Sequence, residues 1–168
     1  MKLYTYQIDN DGVDRIGVEC AGWRGMLWPL EAFGLKFANM HDLITHITPA
    51  QLSRIADAEN ATEGNALRLN RVRLRSPIPH PEQDIICLGI NYADHAVESA
   101  RFHEQSFLLN REKATYFSKR AYETIGSGDP IPSYEGLVTE LDYEVELGVV
   151  IGKDCKKVSE NEAPNYIF

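Results

Sequence analysis

Residues 140–152 read Glu140-Leu141-Asp142-Tyr143-Glu144-Val145-Glu146-Leu147-Gly148-Val149-Val150-Ile151-Gly152. Side chains alternate along a strand. Glu140, Asp142, Glu144 and Glu146 therefore fall on one side, and Leu141, Tyr143, Val145 and Leu147 on the other. Same-side carboxylates would stand about 6.6–7 Å apart and repel one another. The stretch 138–152 thus predicts a strand with an acidic face and an apolar face, and makes the second half of the chain sheet-rich. Two readings of the acids stay open. A buried carboxylate is rescued by neutralisation, pairing or a cation, so Glu144 and Glu146 are candidate oxygen ligands of a hard divalent ion. The same acids also suit the solvated face of an antiparallel sheet. Two carboxylates do not complete a magnesium octahedron, so the metal reading requires a third ligand and waters.

Upstream, Asp84-Ile85-Ile86-Cys87-Leu88-Gly89-Ile90 is a continuous apolar run of strand length and predicts a strand buried on both faces. Residues 114–120 and the final Tyr166-Ile167-Phe168 are further strand candidates. In Ser76-Pro77-Ile78-Pro79-His80-Pro81 alternate residues are proline, which excludes helix and central strand alike and places a domain boundary there. Before it, residues 2–8 and Arg15–Cys20 flank the turn Asp9-Asn10-Asp11-Gly12 and predict a hairpin. Met40, Leu43, Ile44 and Ile47 follow helical spacing. Thr48-Pro49 opens a second helix with Leu52, Ile55 and Ala56 facing inward. In Leu67 to Arg75 the residues Leu67, Leu69, Arg71, Arg73 and Arg75 share one parity, which predicts either a solvated strand face or a phosphate-binding one. The expected fold class is α+β. A small α/β N-terminal domain (1–76) precedes an incomplete mixed β-sheet catalytic domain (77–168).

Directly after the apolar run comes Gly89-Ile90-Asn91-Tyr92-Ala93-Asp94-His95-Ala96-Val97-Glu98. Asn91 is placed to cap a short helix, on which His95 and Glu98 are i and i+3. A carboxylate beside an imidazole raises its pKa and orients it, as a general base near neutral pH requires. An exposed turn with a helix-supporting His–Glu pair has the same pattern. Lys119, a lone lysine in an apolar strand, reads as a strand-end residue or an anion ligand. His41, His46, His80 and His103 show no ligand spacing, and Cys87 reads as packed rather than reactive.

Composition bounds the rest. The 168 residues carry 17 Lys and Arg against 25 Asp and Glu, a net charge of −8. Such a chain attracts neither nucleic acid nor anionic membrane. Cys20, Cys87 and Cys155 form no C-x-x-C pair, so neither a disulfide framework nor a zinc knuckle is expected. No signal peptide and no membrane-length apolar stretch is read, and the expected location is cytoplasmic.

Together these segments resemble the fumarylacetoacetate hydrolase family. The resemblance rests on Ile86 to Glu98, Phe117-Ser118-Lys119, Gly126 to Ile131 (GSGDPI), Leu141 to Lys153, Glu162-Ala163 and Tyr166-Ile167-Phe168, and covers about residues 77–168. It implies the family's β-roll for the catalytic domain. It also implies Glu144 and Glu146 as ligands of Mg²⁺ (or Mn²⁺ or Ca²⁺), His95 with Glu98 as a water-activating dyad on a lid, and Lys119 near the substrate. In the family, Y-I-F is followed by G-Y and then by N-D and R-D motifs that supply a third metal carboxylate and an arginine. With Phe168 as its last residue, the chain is expected to be a catalytic domain truncated at its C-terminal end.

The activity implied is metal-dependent hydrolysis of a C–C bond in a β-diketo acid of the acylpyruvate or fumarylacetoacetate type, in a homodimer when complete. The same metal-bound enolate would serve decarboxylation or isomerisation of a 2-oxo acid. An inactive fragment that acts by assembly with a partner chain is a rival, since an open sheet edge invites pairing. A calcium-binding structural β-domain is another. It would need the acids but not His95 and Glu98.

Overall fold

The computed structural model describes residues 1–9, 11–62, 64–94 and 114–168. Its elements fall into two compact units, Met1–Pro79 with Ile125–Phe168, and His80–Thr124.

In the first unit, β1 (Lys2–Gln7) and β2 (Arg15–Glu19) form the expected hairpin, with Lys2 opposite Glu19 and Tyr6 opposite Arg15. Its turn is closed by Asp11, whose carboxylate accepts from the Val13 amide at 3.0 Å and pairs with Arg15 at 2.7 Å. Next come β3 (Met26–Pro29), β4 (Leu67–Arg68) and β5 (Arg73–Leu74), giving an antiparallel sheet in the order β4-β3-β2-β1-β5. The single strand expected from Leu67 to Arg75 is broken by a 3-10 turn at Leu69–Arg71, and its two ends pair on opposite edges of the sheet. That topology bends the sheet. Four flat spacings of ~4.8 Å would set the edges ~19 Å apart. Five fully extended residues reach at most ~18 Å, and here three of them are coiled. The sheet therefore curls.

Two short helices cover it. The first, α1 (Met40–His46), is capped by the Asn39 side chain, which accepts from the Asp42 amide. The second, α2 (Pro49–Ile55), begins with a capping box between Thr48 and Gln51. Each helix has only seven residues, too few to persist alone in water, so packing of their apolar stripes holds them. Tyr6, Val18, Leu27, Phe33, Leu43 and Ile55 are fully buried. The end of β2 is tied to α2 where Ala21 donates to the Ala56 carbonyl at 3.1 Å. Gly17 faces Leu27 so closely that a Cβ there would meet its Cγ at 2.8 Å.

The remainder of this unit departs from expectation. No strand forms over 138–150, and only Ile151 pairs, antiparallel with Ile167. Phe168 donates to Val150 at 2.9 Å and Gly152 to Tyr166 at 2.8 Å across that bridge. Alternation predisposes a segment to a strand, but the ladder itself needs a neighbour, and among the described residues no strand lies alongside 138–150.

In the second unit, β6 (Ile85–Leu88) pairs antiparallel with β7 (Tyr116–Lys119), with Ile85 opposite Lys119 and Leu88 opposite Tyr116. Both strands lie where the sequence puts them. The expected burial of the first on both faces is not met, since Cys87 alone is buried and Ile86 is 66% exposed. A two-stranded sheet has no second layer of its own to cover it. Among the described residues no helix is long and apolar enough to cross a membrane.

Candidate functional site

The end of β6 leads straight into the loop singled out by the sequence. Gly89 donates to the Thr115 carbonyl at 2.9 Å, which extends the hairpin by one more link. At Ile90 the backbone turns left-handed, with φ +48°. A β-branched side chain disfavours that region, and residues so held cost about 1–3 kcal/mol each. The chain is thus redirected within two residues of the strand end. Tyr92 is exposed, and Ala93-Asp94 enter a helical turn. His95 and Glu98, the expected proton-transfer pair, lie outside the described residues.

Lys119 occupies the last position of β7 and is exposed. Its ammonium lies 5.9 Å from the centre of the Phe117 ring on the same strand face, within reach of a weak cation–π attraction. The pairing of Ile85 with Lys119 puts this lysine three residues along the hairpin from the Leu88–Tyr116 pair, or about 10 Å from the start of the loop. Loop and lysine thus share one hairpin but stand at its opposite ends.

Glu144 and Glu146, with Glu140 and Asp142, are exposed, in a part of the first unit where no strand forms. The donor chemistry, two carboxylates of one parity, suits a hard divalent cation. Among the described residues, however, no three His, Cys, Asp or Glu side chains gather into a metal-binding group. Glu144 and Glu146 therefore fit a metal as part of a ligand set and not as the whole of one.

The motif Gly126-Ser127-Gly128-Asp129 has a role that its sequence did not disclose. Asp129 Oδ2 accepts from the Gly126 amide at 2.8 Å and lies 3.7 Å from Arg75, while its Oδ1 pairs with Arg73 at 2.7 Å. The Arg73 guanidinium, helped by the Gly126 amide, holds the Asp129 carboxyl below the usual range. Arg75 also reaches Asp14 at 3.5 Å. Two of the arginines first read as a solvated or phosphate-binding face thus pair with carboxylates of the protein. The turn sits hard against β5, where a Cβ on Gly126 would collide with the Leu74 carbonyl oxygen and lie 2.7 Å from Arg75 Cα. No local pattern in the sequence links the basic strand to the G-x-G-D turn, and their separation of 56 residues along the chain hid the pairing.

Comparison with known proteins gives these pieces a common origin. Residues 84–168 match the model of the fumarylacetoacetate hydrolase C-terminal domain. Oxaloacetate tautomerase YisK of Bacillus subtilis is 37% identical over 119 residues, covering 70% of this chain and 38% of that protein. The mitochondrial oxaloacetate tautomerase fahd2 of Xenopus laevis is 36% identical over 170 residues, covering 99% of this chain and 49% of that protein. An uncharacterised Staphylococcus aureus protein is 33% identical over 115 residues, covering 67% of this chain and 35% of its own length. The chain thus spans between about a third and a half of the length of these relatives. The matched region takes in both strands of the hairpin, the loop after Leu88, the Gly126–Asp129 turn and the acidic stretch, and by that match the chain belongs to the fumarylacetoacetate hydrolase family.

Proposed function

We propose that this chain supplies the front part of an enzyme site that interconverts the keto and enol forms of a small 2-oxo acid. The observation that carries this is the naming of two of its relatives, 37% and 36% identical, as oxaloacetate tautomerases. Tautomerisation moves one proton between a carbon and the enol oxygen and breaks no carbon skeleton. Hydrolysis of a C–C bond, the activity first expected, needs an attacking water as well, and the relatives' names favour the simpler reaction.

In this reading His95, oriented by Glu98, takes the proton from the carbon next to the carbonyl and delivers it to the enolate oxygen, and the reverse transfer restores the keto form. Lys119 attracts a substrate carboxylate from the end of β7. Members of the family commonly bind divalent metals. Glu144 and Glu146 are the residues here that would hold Mg²⁺, Mn²⁺ or Ca²⁺, and such an ion stabilises the negative charge of an enolate. A small-molecule substrate and a homodimeric complete enzyme accord with the family. The three free cysteines suit a reducing, cytoplasmic compartment.

The test follows enol absorbance of oxaloacetate in the presence of Mg²⁺, beside a parallel assay for cleavage of an acylpyruvate. Accelerated keto–enol exchange, lost in His95→Ala, supports the tautomerase. Acylpyruvate cleavage at a comparable or higher rate restores the hydrolase.

A further inference from the structure

We infer that Ile90 is a positioning residue for the proton transfer assigned to His95, its strained backbone fixing the direction in which the chain leaves the hairpin. The inference rests on the tautomerase reading and names a residue on which that reaction depends. Among the described residues the chain places glycine at seven left-handed positions, where the absent Cβ makes that backbone free of steric cost. Asp9, Ile90, Tyr134 and Lys157 are the other residues with positive φ, and of these Ile90 alone is β-branched, the type least suited to it. The tolerant residue stands one place away, since Gly89 directly precedes Ile90 and is not left-handed. Glycine at 90 would adopt φ +48° at no steric cost, so an isoleucine there runs against local preference. Backbone strain of this kind persists only where the surroundings over-determine it, and it gathers at sites whose geometry is used.

The hairpin supplies that constraint. Leu88 stands opposite Tyr116, Gly89 donates to the Thr115 carbonyl at 2.9 Å, and a Cβ on Gly89 would lie 3.7 Å from the Thr115 side chain, so the start of the turn is seated on β7. Beyond it, Ala93 and Asp94 enter a helical turn. Ile90, Asn91 and Tyr92 span the step from one to the other, and Ile90 is half-buried. A change of φ at Ile90 would swing everything after it. Glycine populates both signs of φ about equally and would leave that direction open, whereas a half-buried isoleucine on a fixed hairpin holds it. In the sequence His95 follows this step directly. A base has to stand within hydrogen-bond reach of the carbon acid it serves, and a small misplacement is paid in rate.

The experiment compares the parent chain with Ile90→Gly and Ile90→Val by three readouts: keto–enol exchange of oxaloacetate with Mg²⁺, amide exchange over residues 91–94, and the thermal midpoint. Ile90→Gly is expected to lower kcat about tenfold while KM stays within about twofold. Amide exchange over 91–94 should quicken about tenfold in the same variant. Its midpoint should stand at or above that of the parent, because glycine removes the strain, whereas loss of a residue that merely packs would lower it. Ile90→Val keeps the branching and should keep the parent's kcat. An active parent whose Ile90→Gly variant retains full kcat would overturn the inference and leave the tautomerase reading standing. A lowered midpoint with unchanged amide exchange over 91–94 would also overturn it, by making Ile90 a packing residue. A parent without exchange that His95→Ala abolishes would overturn the tautomerase reading itself, and Ile90's part in that reaction with it.

Discussion

Alanine at Gly126 tests how the Gly126–Asp129 turn is held against the small sheet. The new Cβ would collide with the Leu74 carbonyl oxygen and lie 2.7 Å from Arg75 Cα and 3.0 Å from the Arg75 carbonyl carbon. All three are backbone atoms of β5 or of its next residue, so no side chain can swing aside. Relief has to come from moving the turn off the strand. That lengthens the 2.7 Å contact between Asp129 and Arg73. The alternative is to displace β5, whose following residue Arg75 donates to Thr5 at 2.9 Å. Overpacking of this kind costs about 1–3 kcal/mol. For a chain of this size each kcal/mol moves the midpoint by roughly 2–4 °C, so a fall of roughly 2–12 °C is expected. Thermal unfolding followed by circular dichroism gives the midpoint, and amide exchange at Arg75 reports whether β5 has loosened. The two readouts must agree. A midpoint within about 1 °C of the parent, with Arg75 protected as before, would refute the close seating of the turn.

Other outcomes follow from the same geometry. Asp129→Asn should leave the turn's backbone bond in place but lose the ion pair. The folded pKa of Asp129 is depressed, so its contribution is present above the ordinary carboxylate pKa and is lost as pH falls through the lower folded value. The gap in thermal midpoint between parent and variant should accordingly be full at pH 7 and close on acidification below about pH 4, whereas a gap independent of pH would assign the effect to packing. Glu146→Gln should weaken binding of Mg²⁺ or Mn²⁺ at least about tenfold, or 1.4 kcal/mol, by calorimetry, and unchanged binding removes Glu146 from the ligand set. Leu43→Ala, at a fully buried position of α1, should cost about 2.7–5 kcal/mol in denaturant unfolding. Val145→Ala, 86% exposed, should cost almost nothing in the same assay. Equal losses at the two sites would show that the acidic stretch is packed in solution.

What the sequence disclosed and what it concealed divide along the range of the interactions involved. The hairpin of β1 and β2 and the Asn39 and Thr48 caps depend on residues close along the chain, and their residue types announce them. The strands at Ile85–Leu88 and Tyr116–Lys119 are announced by their own apolar residues, although each finds its partner about thirty residues away. The Leu67–Arg75 stretch misleads because parity alone cannot tell one strand from two short strands joined by a 3-10 turn. Which it becomes is decided by where β1 and β3 stand, information that lies 40 or more residues upstream. Asp129 and Arg73, 56 residues apart, are a stronger case, since no local pattern links them. For the site the same limit applies. The family residues are legible one by one in the sequence, but Glu144 and Glu146 lie in one compact unit and Lys119 in the other.

The acidic stretch brings these considerations to one question of energy. Its alternation is that of a strand with two unlike faces, yet no strand forms over 138–150. A neighbouring strand would change both faces at once. On one face it would remove the apolar row from water, worth about 25 cal/mol for each Å² covered. On the other it would draw the carboxylates away from solvent, which raises the cost of leaving them unpaired and so favours a cation among them. Strand pairing and metal binding at Glu144 and Glu146 are therefore expected to be linked, each strengthening the other. Adding Mg²⁺ should slow amide exchange over residues 141–147, and Glu146→Gln should abolish that slowing. Amide exchange with and without Mg²⁺ measures the effect, and calorimetry measures the binding in parallel. Exchange indifferent to saturating Mg²⁺ would separate strand pairing from the metal ligands and leave Glu144 and Glu146 as a solvated face.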